Sequence, residues 1–312
     1  MDAVCVGILV ADLFASPIDS LPKAGELKTT DRFLQAAGGC AMNVAADLRR
    51  LGQSAALAGM VGEDMFGDYV IREAERWGIQ ASGILRSSKT PTSGTVIIPV
   101  RGEDRRYLHS TGANADFSLA ELDRSLLEGA RVLYVGGYLA MPRFDPAELA
   151  DLFRHARQRG LATVLDVVVP AGAAVGMSDV EPVLPYTSYF LPNDDEARRL
   201  TGIEDVRGQA EVLSRVNPDC CVLITRGVRG SIARRGGEWI ETPACRVESV
   251  DESGAGDAFA AGLITGILKQ WPLETILRFA SAVGASCTRA LGCTDGVFTF
   301  DEAFQFLGDP CH

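Results

Sequence analysis

The sequence lacks the short motifs that identify several common enzyme classes. No GxGxxG follows the first apolar run, "VGILVADLF", which argues against a nicotinamide-dependent dehydrogenase on a doubly wound sheet. The P-loop pattern GxxxxGK[ST] is absent, as are HExxH and GxSxG, so a P-loop nucleotidase, a zinc protease and an α/β-hydrolase are not predicted. Other residues must therefore indicate the chemistry.

Positive charge, cysteine pairs and long apolar runs are also scarce. The net charge of −11 argues against a nucleic-acid partner held by phosphate contacts. The eight cysteines form no CxxC pair and match no zinc spacing, and the N-terminus lacks the basic segment of a signal peptide. No uncharged apolar run approaches about 18 residues. We therefore expect no membrane partner and a location in the reducing cytoplasm.

The sequence does contain a regular alternation of strand-like and helix-like segments. Apolar runs such as "RVLYVGG", "ATVLDVVV" and "CCVLITRG" alternate with helical patterns over 145–159 and 194–201. Such alternation predicts a mostly parallel sheet with crossover helices on both faces, a three-layer α/β/α sandwich. With 47% hydrophobic residues and no internal linker, we predict a single domain over 1–312.

Two irregular, β-rich segments interrupt this pattern, at about 13–36 and 92–110. Within the second, Val96–Val100 and Tyr107–Ser110 flank the turn "RGED", which predicts a hairpin. The two insertions are expected to pair as a small lid sheet over the strand ends, where ligands bind in open α/β sheets.

The stretch "DESGAGDAFAAG" predicts a strand ending near Asp251 and a helix beginning near Gly254. Gly254, Ala255 and Gly256 place free backbone amides at the positive end of that helix, where an anion can approach closely. Asp257 follows in the first turn, where the helix terminus favours its charged form. An ionised acid beside an anion hole suits phosphoryl transfer to a hydroxyl. A first-turn acid after a tight glycine turn is the structural alternative.

A second glycine turn opens the helix in "GGCAMNVAADLRRLG", with Gly38 and Gly39 before it and Asn43 in its first turn. The amide of Asn43 offers both a donor and an acceptor, as sugar hydroxyls require. The run "AVCVGILVADL" predicts the first buried strand, and Asp12 follows it at its carboxyl end. A helix cap for Asn43 and a loop position for Asp12 are the alternatives.

These two segments closely resemble the two signature segments of the ribokinase-like, or phosphofructokinase-B type, carbohydrate kinases. Three shorter segments fit in order and separation: "TGAN" at 111–114, "NDDE" at 193–196 and "TRGVRG" at 225–230. Each is weak alone, but five in the right order are specific, and the resemblance covers essentially the whole chain.

The resemblance implies an ATP-dependent sugar kinase with Mg²⁺. It makes Asp257 the catalytic base and residues 254–256 the anion hole for the γ-phosphate. The sugar hydroxyls would be bound by Asp12, Gly38, Gly39, Asn43 and Asp257. The nucleotide would be bound by Asn193, Glu196, Thr225, Gly227, Gly230, Gly256 and Ser281, with Glu196 organising Mg²⁺ through water.

Simpler explanations exist for part of this set. Asn193 and Glu196 have the spacing of a capping box, and "TRGVRG" suits a plain hairpin turn. "TGAN" suits a turn that closes the lid hairpin. Ser281 stands where ribokinase itself has an Asn near the adenine, and Glu252 stands where relatives often carry Thr.

The potassium loop of some relatives would fall on Asp251 and Ser253. Backbone groups near Cys287, Ala290, Gly292 and Gly296 would complete it. These residue types permit K⁺ binding without requiring it.

The substrate is the least determined element. Relatives that phosphorylate phosphosugars often carry Lys where this chain has Cys40, which favours an unphosphorylated sugar. Arg105, Arg106 and Tyr107 on the lid suit an acidic sugar or a solvated lid surface. A nucleoside would stack on an aromatic wall, for which Phe14, Phe33 and Tyr138 are candidates. A non-catalytic sugar sensor of the same fold is a further alternative, and the lid edges suggest a homodimer.

Overall fold

A computed structural model describes residues 1–103 and 106–308 of the chain. Within these ranges the chain forms two β-sheets and nine α-helices. The strands are β1 (Ala3–Gly7), β2 (Val10–Ala15), β3 (Phe33–Gly38), β4 (Ala55–Gly62), β5 (Gln80–Ser87), β6 (Gly94–Ile98), β7 (Arg106–Ser110), β8 (Val132–Tyr138), β9 (Ala162–Val167), β10 (Tyr189–Phe190), β11 (Cys221–Thr225), β12 (Ser231–Arg235) and β13 (Glu238–Thr242). The helices are α1 (Cys40–Arg50), α2 (Met65–Arg76), α3 (Pro146–Gln158), α4 (Met177–Val180), α5 (Asp194–Thr201), α6 (Val206–Val216), α7 (Ala255–Leu268), α8 (Leu273–Cys287) and α9 (Phe300–Gly308).

The larger sheet has nine strands in the order β13-β12-β11-β10-β9-β8-β1-β4-β5. All neighbours are parallel except at one edge, where β11, β12 and β13 form an antiparallel meander. Its central strands are mostly apolar, and β4 is buried along its whole length, as expected for a sheet covered on both faces. One apolar cluster packs α1, α7 and α8 on one face, and a second packs α3, α5 and α6 on the other. The predicted three-layer α/β/α architecture is confirmed.

The smaller sheet, called here the lid sheet, has the strand order β3-β2-β6-β7. The parallel pairing of β2 with β6 joins the two insertions, and β6 and β7 form the predicted hairpin. The first insertion is wider than 13–36, because its strands begin at Val10 and end at Gly38.

Two predicted features are wrong. Asp12 does not follow a strand of the large sheet but lies within β2 of the lid sheet. The run "AVCVGILVADL" is divided because β1 ends at Gly7 (φ +145°), where a Cβ would lie 2.0 Å from the carbonyl oxygen of Gly136. The strand expected before Asp251 is also absent from the described residues: β13 ends at Thr242, and 243–251 form no ladder.

Membrane-spanning character is not found in the described helices. None of them combines the length and the apolar content needed to cross a bilayer.

The helix interface beneath the sheet contains an unusual buried acid. Asp47 on α1 is fully buried, and neither carboxylate oxygen has a hydrogen-bond partner among the described residues. Burial raises the pKa of Asp47 well above its ordinary value, the charge on Asp257 adds to this, and Arg50 opposes it. An unpaired buried polar group is destabilising by about 1–3 kcal/mol.

Replacing Asp47 should therefore stabilise the fold. We expect Asp47→Ala to raise the free energy of unfolding at pH 7 by about 1–3 kcal/mol, because the unpaired group is removed. The unfolded chain releases the Asp47 proton at pH values above about 3.8, whereas the folded protein retains it to higher pH. The stability of the wild type therefore falls as the pH rises above about 3.8. The difference in the free energy of unfolding between Asp47→Ala and the wild type should therefore be larger at pH 7 than at pH 4.

Urea denaturation at both pH values measures this. Asp47→Asn is the matched control: it removes the titratable group but keeps an unpaired polar group, so its gain in stability should be smaller. A less stable Asp47→Ala at pH 7 would show that the acid has a stabilising partner in solution.

Candidate active site

Two helices that begin at glycine turns meet beside the lid sheet. Gly39, before α1, has φ +92°, and its Cβ position lies 2.4 Å from the carbonyl oxygen of Ile8. Gly254, before α7, has φ +77°, and a Cβ there would lie 2.5 Å from the carbonyl oxygen of Cys293. Only glycine fits either position without strain. Helices α1 and α7 pack together along their length, so their N-termini are side by side.

A hydrogen bond joins the first turns of these helices. Asn43 Nδ2 donates to Asp257 Oδ2 at 2.8 Å, although the two residues are 214 positions apart. The Asn43 side chain is buried, and its Oδ1 has no partner among the described residues. The simple helix-cap alternative is wrong for Asn43, because it lies inside α1 and the N-cap is Gly39. The unpaired Oδ1 can accept a hydrogen bond from a hydroxyl group.

The electrostatics of Asp257 differ from the expectation that the helix terminus dominates. Burial raises the pKa of Asp257 above its ordinary value, and hydrogen bonds from Asn43 and Cys40 partly oppose that effect. A carboxylate with a raised pKa is a stronger proton acceptor than an ordinary one.

Backbone amides face the same space. The amide of Ala255 makes a long, 3.4 Å turn contact with the carbonyl oxygen of Glu252, and the next two amides, of Gly256 and Asp257, lie in the first turn of α7, where no helical carbonyl is available. A Cβ at Gly256 would meet no atom within 4 Å, so the protein leaves open space beside this residue of the turn. The side chain of Glu252 is exposed.

The lid sheet brings Asp12 close to Gly38 and Asn43. A Cβ at Gly38 would lie 2.3 Å from Asp12 Oδ2 and 3.8 Å from Asn43 Oδ1, so the bare glycine separates two acceptors. Asp12, Thr95 and His109 lie in one row across β2, β6 and β7. Thr95 hydrogen-bonds both His109 Nδ1, at 3.1 Å, and Asp12. Burial raises the pKa of Asp12, while the bond from Thr95 opposes this.

A second carboxylate, Asp166, was missed by the sequence analysis. It lies at the carboxyl end of β9, and a ligand atom of Asp166, one of Asp257 and Cys40 Sγ all lie within 4.8 Å of one another. Tyr134 Oη donates to Asp166 Oδ2 at 2.8 Å. Burial raises the pKa of Asp166 well above its ordinary value, and the charges of Asp257 and Glu196 add to that shift. The available signal was an acid directly after an apolar strand, in "ATVLDVVV".

The expected nucleotide residues lie next to this centre. Asn193 and Glu196 form the capping box of α5: Glu196 N donates to Asn193 Oδ1 and Asn193 N to Glu196 Oε2, each at 2.9 Å. Burial raises the pKa of Glu196 to about 7. Asn193 bridges to Thr225 at the ends of β10 and β11.

Gly227 and Gly230 have positive φ in the turn between β11 and β12, so the hairpin reading of "TRGVRG" is confirmed. Ser281 is buried on α8, and no hydrogen bond links it to the others.

Several lid and aromatic candidates lie elsewhere. Arg106 shares a face with Ile98, opposite to Asp12, and pairs with Glu103, whereas Tyr107 shares the Asp12 face. Arg105 lies outside the described residues. Phe33 is exposed on the outer face of the lid sheet, and Tyr138 is buried and donates to the carbonyl oxygen of Asp179, so neither forms a stacking wall. Phe14 is buried and lies on the same face of the lid sheet as Asp12.

The segment 111–114 is structural. Asn114 is buried, accepts from Leu9 N at 3.1 Å and donates to Leu9 O at 2.9 Å. It therefore fixes the chain between β1 and the lid sheet.

The loop before α7 is held by Asp251, which is buried. Asp251 Oδ1 accepts from Ser253 N at 2.7 Å, and Oδ2 accepts from Gly292 N at 3.2 Å. Cys287 Sγ donates to the carbonyl oxygens of Ser253 and Cys293. A Cβ at Gly296 would meet the carbonyl oxygen of Cys287 at 2.6 Å, and Ala290 N lies 3.0 Å from the same position. The predicted potassium residues are therefore assembled in one loop cluster.

Comparison with known proteins agrees with this geometry. The model of the pfkB family carbohydrate kinases matches residues 1–299. A 2-dehydro-3-deoxygluconokinase of Bacillus subtilis is 28% identical over 319 residues, covering 98% of this chain and 95% of that protein. Arabidopsis thaliana ribokinase, solved with ribose and ATP, superposes with a TM-score of 0.83 at 22% identity, covering 99% of both chains. The structure of a putative ribokinase II from Escherichia coli in complex with ATP and Mg²⁺ superposes with a TM-score of 0.84 at 18% identity. The match covers 98% of this chain and 99% of that chain.

The family model spans nearly the whole chain, and the solved structures share its fold. This chain therefore belongs to the pfkB family and is a carbohydrate kinase, a phosphotransferase that acts on a hydroxyl group.

Proposed function

We propose that the protein phosphorylates a hydroxyl of a free sugar or sugar acid with ATP, using Asp257 as the general base. The observation that carries this proposal is that the Asp257 carboxylate, held by Asn43, lies in the first turn of α7, directly after the glycine turn at Gly254. The backbone amides of such a first turn have no helical partners. The Asn43 bond orients the carboxylate, and burial makes it basic enough to accept a hydroxyl proton.

The reaction follows from the positions of these groups. Asp12 and Asn43 Oδ1 accept hydrogen bonds from sugar hydroxyls and hold the reacting one near Asp257. Asp257 takes the proton as the oxygen attacks the γ-phosphorus, and the amides of the 254–256 turn receive the charge that develops on the phosphoryl oxygens. The lid sheet shields this step from water, so that transfer to sugar is favoured over hydrolysis.

The residues around Asn193 fit ATP and Mg²⁺. Thr225 and the glycine turn at 227–230 offer backbone against which the adenosine can lie, and Glu196 is close enough to Asp166 for its charge to raise the pKa of that acid. Bound Mg²⁺ neutralises phosphate charge. Glu196 would hold it through water, since Mg²⁺ retains several waters in proteins.

The class of acceptor is indicated by Cys40 and by the positions of the aromatic candidates. Cys40 leaves no fixed cation beside Gly39 for a sugar phosphate, which supports an unphosphorylated acceptor. A nucleoside acceptor is the alternative within the fold. Its support is weaker because only Phe14, of the three aromatic candidates, shares the face of Asp12, and it is buried. A non-catalytic sensor is disfavoured by the positioned Asp257. Ser281 has no contact here that assigns it a role.

Potassium activation and a cytoplasmic location complete the proposal. Asp251 and Ser253, with the backbone of 287–296, form the loop cluster that supports the anion hole through Gly254. The seven described cysteines are free thiols, which suits a reducing compartment.

The direct test is ADP release with a panel of free sugars, sugar acids and nucleosides, run in parallel in K⁺ and Na⁺ buffers. We expect turnover with a sugar or sugar acid. Asp257→Asn should lower kcat by about 10²–10⁴-fold, because it removes proton acceptance, while ATP binding measured by calorimetry persists. Equal turnover in Asp257→Asn would disprove the general-base role.

The anion hole gives a second prediction. Gly254→Ala should lower the free energy of unfolding by at least about 1–2 kcal/mol, because alanine is strained at positive φ, and its Cβ would collide with the Cys293 backbone. It should also reduce kcat, since the amides shift. Gly256→Ala is the matched control for unfolding: its Cβ has open space, so stability should not fall. Urea denaturation and ADP release measure both, and equal stability of the two variants would contradict the geometry.

A lid-mediated homodimer is the third proposal. The outer face of the lid sheet is apolar: Val96 and Leu108 are exposed in one row with Leu13, and Phe33 lies on the same face. The lid sheet also ends in two edge strands, β3 and β7. A second copy can cover both features at once. Light scattering should report a dimer, and Leu108→Glu a monomer. Val228→Glu, in the exposed β11–β12 turn, is the control that should remain dimeric. A monomeric wild type at assay concentration would refute the proposal.

A further inference from the structure

The catalytic centre contains a thiol between two carboxylates. Cys40 Sγ, an oxygen of Asp166 and an oxygen of Asp257 lie within 4.8 Å of one another, although they come from α1, β9 and α7. Each of the three residues is half-buried. We propose that these three side chains form a binding site for a thiophilic divalent cation, with Zn²⁺ as the natural representative.

The donor set selects the class of metal. A thiolate with two carboxylates matches the sulfur and oxygen ligands of Zn²⁺, whereas Mg²⁺ prefers oxygen alone. Three protein ligands with an open fourth position are typical of accessible zinc sites. Zn–S and Zn–O bonds of about 2.3 and 2.0 Å separate the tetrahedral ligand atoms of one thiolate and two carboxylates by about 3.3–3.5 Å. Rotations that move the ligand atoms by about 1 Å would therefore close the site.

Hydrogen bonds from outside the cluster orient both carboxylates. Tyr134 Oη donates to Asp166 Oδ2, and Asn43 Nδ2 donates to Asp257 Oδ2, each at 2.8 Å. Outer donors of this kind fix ligating carboxylates in metal sites. The site for Tyr134 is made by a glycine on the same strand: a Cβ at Gly136 would lie 2.5 Å from Tyr134 Oη.

Charge also favours a cation here. Burial and the neighbouring charges of Asp257, Asp166 and Glu196 raise the pKa of the Cys40 thiol well above its ordinary value. Coordination replaces the thiol proton by the metal, and the proton passes to solvent. One M²⁺ would offset most of the repulsion among one thiolate and two carboxylates.

The consequence for activity rests on the proposed function. An Asp257 oxygen bound to the metal cannot accept the proton of the substrate hydroxyl. Occupancy of the site therefore inhibits the kinase, in competition with productive binding in the same cavity. The metal-binding step itself does not depend on the identity of the sugar.

Co²⁺ titration of the full-length enzyme without nucleotide tests the site. We expect a thiolate-to-metal charge-transfer band that saturates at one metal per chain and is removed by Zn²⁺. Cys40→Ser should abolish the band. Cys245→Ser, which removes a half-buried thiol outside the cluster, is the matched control and should retain it. Absence of the band in wild type, or its persistence in Cys40→Ser, would overturn the proposal.

Asp166→Asn tests the site while the thiol is intact, in case Cys40→Ser fails to fold in a melting experiment. It should weaken Co²⁺ binding by at least about tenfold. Unchanged affinity would overturn the three-ligand site.

The inhibitory effect needs its own measurement. With an active sugar and excess Mg²⁺, the Zn²⁺ concentration that halves ADP release should rise at least about tenfold in Asp166→Asn relative to Cys245→Ser, each normalised to its own basal rate. A Co²⁺ band without Zn²⁺ inhibition would retain the metal site and reject its inhibitory role, which separates this failure from a failure of the proposed kinase reaction.

Discussion

The hydrogen bond from Asn43 to Asp257 is the constraint on which the candidate site depends. It fixes the first turns of α1 and α7 side by side, and so places a carboxylate, an amide acceptor and the open end of a helix in one cavity. The bond forms only because Gly39 and Gly254 adopt positive φ and let the chain turn sharply into each helix. The chemistry of the site therefore depends on two positions that carry no functional group.

The candidate site brings several acidic side chains close together. Asp12, Asp166, Asp257 and Glu196 all have raised pKa values, in each case mainly because burial disfavours the charged form. Such a site has a large free-energy gain from binding cations or hydroxyl donors, and little gain from binding anions except at the backbone amides of α7. In the proposed mechanism an acidic protein recognises a phosphoryl group through amide dipoles at one point, which sequence charge alone does not reveal.

The lid sheet has a different role on each face. Its inner face carries the row of Asp12, Thr95 and His109, which links a buried acid to an exposed histidine. Its outer face carries apolar side chains without cover among the described residues of this chain, including Phe33 and Leu108. The alternation of side chains along each strand makes this division unavoidable.

The sequence by itself determined the local elements and the two glycine turns, because short-range patterns decide them: α5 has the predicted bounds, and the capping box of Asn193 and Glu196 follows from their spacing. It did not determine which strand an apolar run joins, so "AVCVGILVADL" was expected to be one strand and became two in different sheets. Nor did it determine which distant residues meet. Asp166 and Tyr134 lie in apolar strands that look like core, and only the order β9-β8-β1 in the sheet brings them to the helix termini that carry Cys40 and Asp257. Contacts across hundreds of residues depend on strand order and register, which tertiary packing alone decides.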